Sequence, residues 1–367
     1  MSRDNSQPDG LWPDENQLVP LSSSSAAVAH SPNGDRAPWL GDDLVAARPI
    51  RLSAREFTSE RMLRAAPNMP TGGWRRAVFT LTGGRIALEP SPEEIRQREL
   101  VARVKTPVAG CRKIAFISRK GGVGKTSTCL LAGHTFASHR GDRVIAVDGN
   151  PDAGTLGHRV RRETTANLRS LLADADRIER YADVRGYTSQ APSRLEVVAS
   201  DDDPRITQTI GEQEFQRAIE LLERHYNLVC LDTGTGVLES ATRGILAAAD
   251  QIVVVSAPSL DGARAASATL DWLDANGYDR LVGQSVAVLN AVGRTPGLVD
   301  VGRIEEHFAT RCRACVRIPW DPYLEAGAEA SVDDLQPATR SAYLELAAAI
   351  GSGFVNQTDH TERRRTP

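Results

Sequence analysis

The sequence has no uninterrupted apolar run that approaches the roughly 20 residues needed to span a bilayer. Its first residues, Met1–Asn5, also lack the apolar stretch of a secretory signal peptide. Cysteine is scarce: five residues, an odd number, are spread over 367 positions, which argues against a disulfide framework and fits a reducing compartment. Neither sign of charge dominates, since 44 basic residues face 47 acidic ones, so the net charge of −3 does not indicate nucleic acid or an anionic membrane. We therefore expect a soluble, cytoplasmic protein.

Composition divides the chain into four predicted segments. Hydrophobic residues make up 41% and charged residues 25%, as in ordinary globular proteins. Residues 1–70 are rich in Ser, Pro, Asp and Arg, and we expect them to be largely disordered because they carry too little apolar surface to offset ordering. An accessory hairpin plus helix is predicted over 71–110, a main domain over 111–351, and a flexible tail over 352–367.

The accessory segment combines strand, turn and helix signals. Trp74–Leu81 alternates as a strand does, Gly83-Gly84 makes a turn, and Arg85–Leu88 returns as a second strand. Ser91-Pro92-Glu93-Glu94 then supplies an N-cap, a first-turn proline and a capping-box glutamate. A helix is predicted from there to about Lys105.

From Lys113 onward, short apolar runs alternate with helical stretches. This alternation predicts a doubly wound α/β fold: a mostly parallel sheet of about seven strands with helices on both faces. The predicted strands are Ile114–Ser118, Val144–Val147, Leu195–Ala199, Leu228–Leu231, Ile252–Val255, Ser285–Leu289 and Cys315–Ile318. The predicted helices include Thr126–Ser138, Glu212–Arg224, Ser240–Ala248 and Ala263–Asn276. Ligands of such sheets bind beyond the carboxyl ends of the strands.

A glycine-rich loop follows the first predicted strand and opens a helix. Glycines allow successive backbone N–H groups and the helix N-terminus to point at phosphate oxygens. Lys125 would reach the β and γ phosphates, and the Thr126 hydroxyl would ligate Mg²⁺. The predicted nucleotide-binding residues of this loop are Lys120, Gly121, Gly122, Val123, Gly124, Lys125, Thr126 and Ser127.

Carboxylates end the second and fourth predicted strands. Asp148-Gly149-Asn150-Pro151-Asp152 follows Val147, and side chains beside a triphosphate can hold metal-bound water or orient the attacking water. Asp232 ends the apolar run that starts at Leu228, where a carboxylate would hold Mg²⁺ through water.

The loop resembles the deviant Walker A loop of the MinD/ParA class of ATPases, with Arg119 where the ordinary motif has glycine and Lys120 as the signature lysine. The resemblance implies a P-loop NTPase that binds ATP and Mg²⁺, and an ATP-bound homodimer in which Lys120 touches the partner's nucleotide. That family usually has Asp-x-Asp after the second strand, whereas Asn150 stands here in place of the second Asp. Either Asp148 or Asp152 then replaces it, or hydrolysis is slow. The candidate catalytic residues are Lys120, Lys125, Asp148, Asn150 and Asp152.

Two further motifs match the adenine side of this family. Asn290 ends a strand where the family places an adenine-contacting Asn, although an Asn there can also be a simple cap. Ile318-Pro319-Trp320-Asp321-Pro322 matches the family's Ile-Pro-x-Asp-Pro turn, so Pro319 is predicted to border the base. No guanine signature follows Asn290, and ATP is therefore expected over GTP.

The segment around Trp74 resembles the region that precedes the ATPase domain in actinobacterial MinD-like proteins encoded with type VII (ESX) secretion systems, the EspI-like group. This resemblance implies a switch that acts in or regulates secretion through a protein partner. Two alternatives stay open: a ParA-like DNA-partitioning ATPase, and an ATP-dependent scaffold that does not hydrolyse. DNA binding would use the cations Arg159, Arg161, Arg162, Arg311, Arg313 and Arg317.

The tail and the C-x-x-C cysteines are not expected to take part in binding. The tail after Gly351 has no amphipathic pattern, so direct membrane insertion is not expected. Cys312 and Cys315 form a C-x-x-C, but with only His307 nearby and no second pair they are expected to be strand cysteines and not metal ligands.

Overall fold

The computed structural model describes residues 81, 90–150, 154–200, 210–234, 240–293, 299–329 and 331–354. Several predictions fall outside these residues: the segment 1–70, the hairpin over 74–88 apart from Leu81, and the tail beyond 354. Asp152 also lies outside the described residues.

An eight-stranded sheet forms the centre of the described chain, in the order β3-β4-β2-β5-β1-β6-β7-β8. All neighbouring strands are parallel except β3 and β4. The strands are β1 (Arg112–Ile117), β2 (Val144–Gly149), β3 (Ser189–Gln190), β4 (Glu196–Val198), β5 (Leu228–Thr233), β6 (Gln251–Ser256), β7 (Val286–Val292) and β8 (Ala314–Pro319). The doubly wound α/β fold and its seven predicted strands are confirmed. The eighth, β3, was missed because two polar residues at a sheet edge carry no apolar pattern.

Helices cover both faces of this sheet. They are α1 (Pro92–Val104), α2 (Lys125–His139), α3 (Leu168–Ala173), α4 (Tyr181–Arg185), α5 (Glu212–Glu223), α6 (Ser240–Ala248), α7 (Leu260–Ala275), α8 (Asp279–Gly283), α9 (Val301–Ala309), α10 (Pro322–Glu325) and α11 (Pro337–Gly351). The four crossover helices predicted from sequence are present as α2, α5, α6 and α7. The helix predicted from Ser91 to about Lys105 is present as α1. The remaining six were not predicted, and most of them are too short for a 3.6-residue period to stand out.

Alternating side chains of the strands supply two hydrophobic clusters, one on each face of the sheet. In β1, Ile114 and Phe116 enter one cluster, whereas Ala115 and Ile117 enter the other. The first cluster is completed by apolar residues of α2 and α11, and the second by residues of α5, α6 and α7. Burial on both faces explains why the strands read as continuous apolar runs.

The predicted capping box starts α1 as expected. The Ser91 hydroxyl accepts from the Glu94 N–H at 3.1 Å, and the Ser91 N–H donates to Glu94 Oε2 at 2.9 Å. The end of α1 packs closely on α11, since a Cβ at Gly351 would lie 2.4 Å from the Arg103 carbonyl oxygen. Arg140 at the end of α2 donates to the Val104 carbonyl at 2.7 Å. The helix α1 is therefore packed into the same layer as α2 and α11.

Within the described residues, none of the helices is both long enough and apolar enough to cross a membrane.

Candidate nucleotide-binding site

A cavity of about 780 Å³ opens at the carboxyl ends of the strands. The loop between β1 and α2 forms one wall, and residues that follow β2, β6, β7 and β8 contribute most of the rest. The predicted site residues that line it are Lys120, Gly121, Gly122, Val123, Gly124, Lys125, Thr126, Ser127, Asn150, Asn290 and Pro319. Asp148 and Asp232 are not among its lining residues, and each is only 1% exposed.

The loop between β1 and α2 depends on glycine at two positions. Gly122 and Gly124 have φ angles of +73° and +84°, in the left-handed region that favours glycine. Gly124 is the N-cap of α2, and a Cβ there would lie 1.9 Å from Asn290 Nδ2. A side chain at position 124 would be strained by the left-handed φ and would clash with Asn290. With glycine there, the backbone amides at the start of α2 can face the cavity.

The ammonium group of Lys125 lies against the end of β5. Its Nζ donates to Asp232 Oδ1 at 2.7 Å and also contacts the Thr233 carbonyl oxygen. The Lys125 side chain is 8% exposed. A buried carboxylate needs a compensating charge, and Lys125 supplies it here.

Asp148, at the end of β2, binds backbone instead of a side chain. Oδ1 accepts from the Asn150 N–H at 3.2 Å, and Oδ2 accepts from the Leu156 N–H at 3.0 Å. Burial is the main cause that raises its pKa to about 7, the nearby Asp232 adds to the rise, and the two backbone hydrogen bonds oppose it. Asp148 thus shapes the loop that follows β2, whereas Asn150 reaches the cavity.

The adenine-side candidates lie where β7 and β8 end. The Asn290 Nδ2 donates to the Val123 carbonyl at 2.8 Å, so this side chain ties β7 to the glycine-rich loop. Next to it, Ala291 has a φ of +58°, within an irregular stretch of the β7–β8 register. On the β8 side, Pro319 and Trp320 line the cavity. The Trp320 indole N–H donates to Glu325 at 2.9 Å.

The turn after β8 is held by its aspartate. Asp321 is 2% exposed and accepts backbone N–H groups from Tyr323 at 3.0 Å and Gln336 at 2.9 Å. The Pro-Trp-Asp segment therefore presents a fixed edge to the cavity.

Sequence reasoning missed two cavity residues on the segment after β2, Thr155 and Arg159. Arg159 was predicted only as one of several candidate DNA-binding cations, and the structure places it, half-buried, on the cavity wall. Arg159 lies eleven residues beyond Asp148, and no sequence motif includes that position. Only the fold of the loop, anchored by Asp148 and Leu156, brings it to the site.

Most of the other arginines of the proposed basic surface are engaged within the chain. Arg311 donates to Asp271 at 2.5 Å and to Asp274 at 2.6 Å, and Arg317 pairs with Glu305. Arg162 donates to the carbonyl groups of residues 164 and 166, both at 3.2 Å. Each of these three arginines therefore has a partner within the described chain.

The C-x-x-C cysteines are free thiols, and only Cys315 lies in β8 as predicted. Cys312 is 5% exposed and precedes the strand by two residues, so its assignment as a strand cysteine was wrong. Burial raises the pKa of Cys315 to about 12. Among the described residues, no group of three or more His, Cys, Asp or Glu side chains could hold a metal ion.

The donor set fits a magnesium-bound nucleotide polyphosphate. A left-handed glycine loop at a helix N-terminus suits phosphate oxygens, and the Thr126 hydroxyl and Asp232 carboxylate are the oxygen ligands that Mg²⁺ prefers. The fold, with its loop between β1 and α2 and its carboxylate at the end of β5, is of the P-loop NTPase type.

Comparison with known proteins gives the particular relatives. A family described as an AAA domain matches residues 111–276. The structure is similar to a ParA family ATPase from Chlorobium tepidum TLS, with a TM-score of 0.56 and 18% identity over 65% of this chain and 98% of that one. It is also similar to the septum site-determining protein MinD complexed with Mg-ADP from Pyrococcus horikoshii OT3, with a TM-score of 0.52 and 18% identity over 65% of this chain and 94% of that one.

The ESX-1 secretion-associated protein EspI of Mycobacterium tuberculosis is 37% identical over 284 residues. The match covers 77% of this chain, and the chain spans 42% of the length of that relative. The chain is therefore related in sequence to EspI over most of its length, and its fold is similar to those of the ParA family ATPase and MinD.

Proposed function

We propose that the chain is an ATP-dependent switch that acts in or regulates type VII (ESX) secretion through a protein partner. The observation that carries the proposal is the glycine-rich loop with Lys120, Lys125 and Thr126 on a cavity that Asn150 and Pro319 also line. The sequence relationship to a protein named as ESX-1 secretion-associated supports the biological setting.

In this proposal, the backbone amides of the loop bind the phosphates, and Lys125 moves from Asp232 to the β and γ phosphates. That move leaves the Asp232 carboxylate free to accept another positive ligand. Thr126 and, through water, Asp232 would hold Mg²⁺, whose charge would screen the phosphate oxygens that repel an attacking water. Pro319 and Asn290 would border the adenine.

The attacking water would be oriented by the segment after β2. Asn150 lines the cavity, and its side-chain carbonyl can accept a hydrogen bond from water but cannot take up a proton as a carboxylate does. Asp148 is committed to two backbone N–H groups, which leaves Asn150 or Asp152 for this role. We expect turnover to be slow for this reason.

Lys120 carries the dimer part of the proposal. Its side chain is half-buried at the cavity, and the family pattern assigns this lysine to the partner's nucleotide. Lys120→Ala should keep ATP binding and lose ATP-dependent dimerisation, measured by sedimentation velocity with and without MgATP. Lys105→Ala removes an exposed lysine away from the cavity and should dimerise as the wild type does. Unchanged dimerisation of Lys120→Ala would contradict the shared site.

Steady-state phosphate release separates a hydrolysing switch from a scaffold. The switch predicts slow release that Lys125→Ala abolishes, whereas a scaffold would dimerise in ATP without any release. A separate experiment looks for the protein partner: affinity capture with the full chain is compared with capture by a chain that starts at residue 90. That truncation keeps Ser91 and α1, which pack with α11.

A further inference from the structure

Arg159 lies at the end of a short 3-10 turn, Leu156–Arg159, and lines the cavity that contains the P-loop. The turn is firmly placed in the fold. Leu156 is fully buried and its N–H is bound by Asp148 at 3.0 Å, and a Cβ at Gly157 would lie 2.5 Å from the Cβ of Ala199. The Arg159 side chain is therefore presented to the cavity by an anchored backbone.

Two of the three guanidinium nitrogens of Arg159 lack acceptors among the described residues. Its Nε and Nη1 atoms are buried, and in the part of the chain that the structure describes neither has a hydrogen-bond partner. Burial lowers the pKa of Arg159, and the negative charge of Asp232 partly opposes this. A buried donor without an acceptor is costly, and native proteins leave very few. Such a group at a cavity wall can donate to an acceptor that a ligand brings.

The carboxylates around the cavity are already engaged. Asp232 is paired with Lys125, and Asp148 and Asp321 are bound to backbone N–H groups. The acceptor that suits a guanidinium best is a phosphate or a carboxylate, because its planar fork of N–H donors matches their oxygens. The P-loop in the same cavity is built for phosphate.

We propose that Arg159 donates to a phosphate of the nucleotide bound by the same subunit, so that nucleotide binding supplies the missing acceptor of a pre-placed guanidinium. This inference rests on the proposed ATP binding and adds a binding residue that no P-loop motif contains. It also predicts an unusual combination of effects: removal of the charge weakens nucleotide binding and leaves the nucleotide-free protein at least as stable, because an unpaired buried charge is lost.

The test compares Arg159→Met and Arg159→Lys with a matched control, Arg161→Met, in the full chain. Arg161 is an exposed arginine two positions away that does not line the cavity. Calorimetric titration with MgATP and MgADP gives the affinities, and thermal unfolding without nucleotide gives the stability. Wild-type affinity is measured first, since absence of binding there would refute the proposed function itself, independently of Arg159.

We expect Arg159→Met to bind both nucleotides about 10- to 100-fold more weakly, as the loss of a charge-assisted hydrogen bond implies. Its nucleotide-free unfolding temperature should equal or exceed that of the wild type. Arg159→Lys should recover part of the affinity, and Arg161→Met should match the wild type. Affinity of Arg159→Met within twofold of the wild type would overturn the inference. A lower unfolding temperature with equal losses in the Met and Lys variants would also overturn it, because Arg159 would then be structural.

Discussion

An aspartate lies near the end of β2 and another near the end of β5, at paired positions of the sheet, and their carboxylates have different partners. Asp148 and Asp232 are register partners, and each is 1% exposed. Asp232 is paired with the side chain of Lys125, whereas Asp148 accepts two backbone N–H groups of the loop that follows it. A carboxylate paired with a flexible ammonium can exchange its partner, and one that binds its own loop holds the backbone in place.

This difference separates a replaceable contact from a fixed one. The Lys125–Asp232 pair stands where a nucleotide would compete for the ammonium, and so the end of β5 can respond to ligand. The end of β2 places Asn150 and the Arg159 turn instead. The following experiments perturb the Lys125–Asp232 pair or the contacts of Asp148.

The largest effect should come from Lys125→Ala, which breaks the contact at the end of β5. ATP affinity should fall more than 100-fold, because the P-loop lysine is lost. Stability should fall by about 3 kcal/mol, because Asp232 stays buried without its counter-charge. Calorimetric titration with MgATP and urea unfolding measure the two effects.

Lys113→Ala is the matched control for Lys125→Ala. This lysine is 14% exposed, pairs with Glu223 at 3.1 Å and Asp250 at 3.3 Å, and does not line the cavity. It should cost some stability and leave ATP affinity unchanged. A Lys125→Ala protein as stable as the wild type would show that the pair does not compensate the buried charge of Asp232.

The next effect is steric and tests the fixed contact at the end of β2. A Cβ at Gly154 would lie 2.0–2.2 Å from the Asp148 carboxyl atoms, which the two backbone hydrogen bonds hold in place. Gly154→Ala should therefore destabilise the protein by about 2 kcal/mol, the usual scale of overpacking.

A double-mutant cycle shows whether the penalty comes from Asp148. Combined with Asp148→Ala, the cost of Gly154→Ala should shrink to less than about 1 kcal/mol, because the clashing atoms are gone. Urea unfolding of the four proteins gives the coupling energy. Additive effects would mean that Asp148 does not hold the loop as the structure shows.

The last prediction is a pH dependence of stability, whose change per pH unit is smaller than the effects above. The pKa of Asp148 is raised from 3.8 to about 7, mainly by burial and then by Asp232. The folded protein therefore binds a proton more tightly than the unfolded chain over this window, and stability must fall as the pH rises from about 4 to about 7.

Asp148→Asn lacks this titration and should gain stability relative to the wild type by at most about 1.4 kcal/mol per pH unit up to pH 7, with no further change above it. Urea unfolding at pH 5, 6, 7 and 8 measures the difference. A difference that does not vary with pH would contradict the raised pKa.

Much of the fold followed from local patterns, and the reason is visible in particular elements. The strands are buried on both faces, so each appears as an apolar run, and α1 begins at its predicted capping box. The edge strand Ser189–Gln190 has neither signal. It exists because β4 offers a pairing partner, which is a property of the assembled sheet.

The site was predictable where function requires a contiguous motif and not where it requires distant residues. The loop Lys120–Ser127 and the strand-end positions Asn290 and Pro319 line the cavity as placed from sequence. The pairing of Lys125 with Asp232, the backbone contacts of Asp148 and the position of Arg159 all depend on how separate strands and turns meet. No spacing along the chain encodes those contacts.

The central claim is that one MgATP binds at the P-loop cavity of each chain. Calorimetric titration of the full-length wild type and of Lys125→Ala with ATP at millimolar magnesium tests it most directly. We predict saturable binding of one ATP per chain for the wild type and none for the variant. A wild type without saturable uptake, or a variant that binds equally well, would contradict the claim.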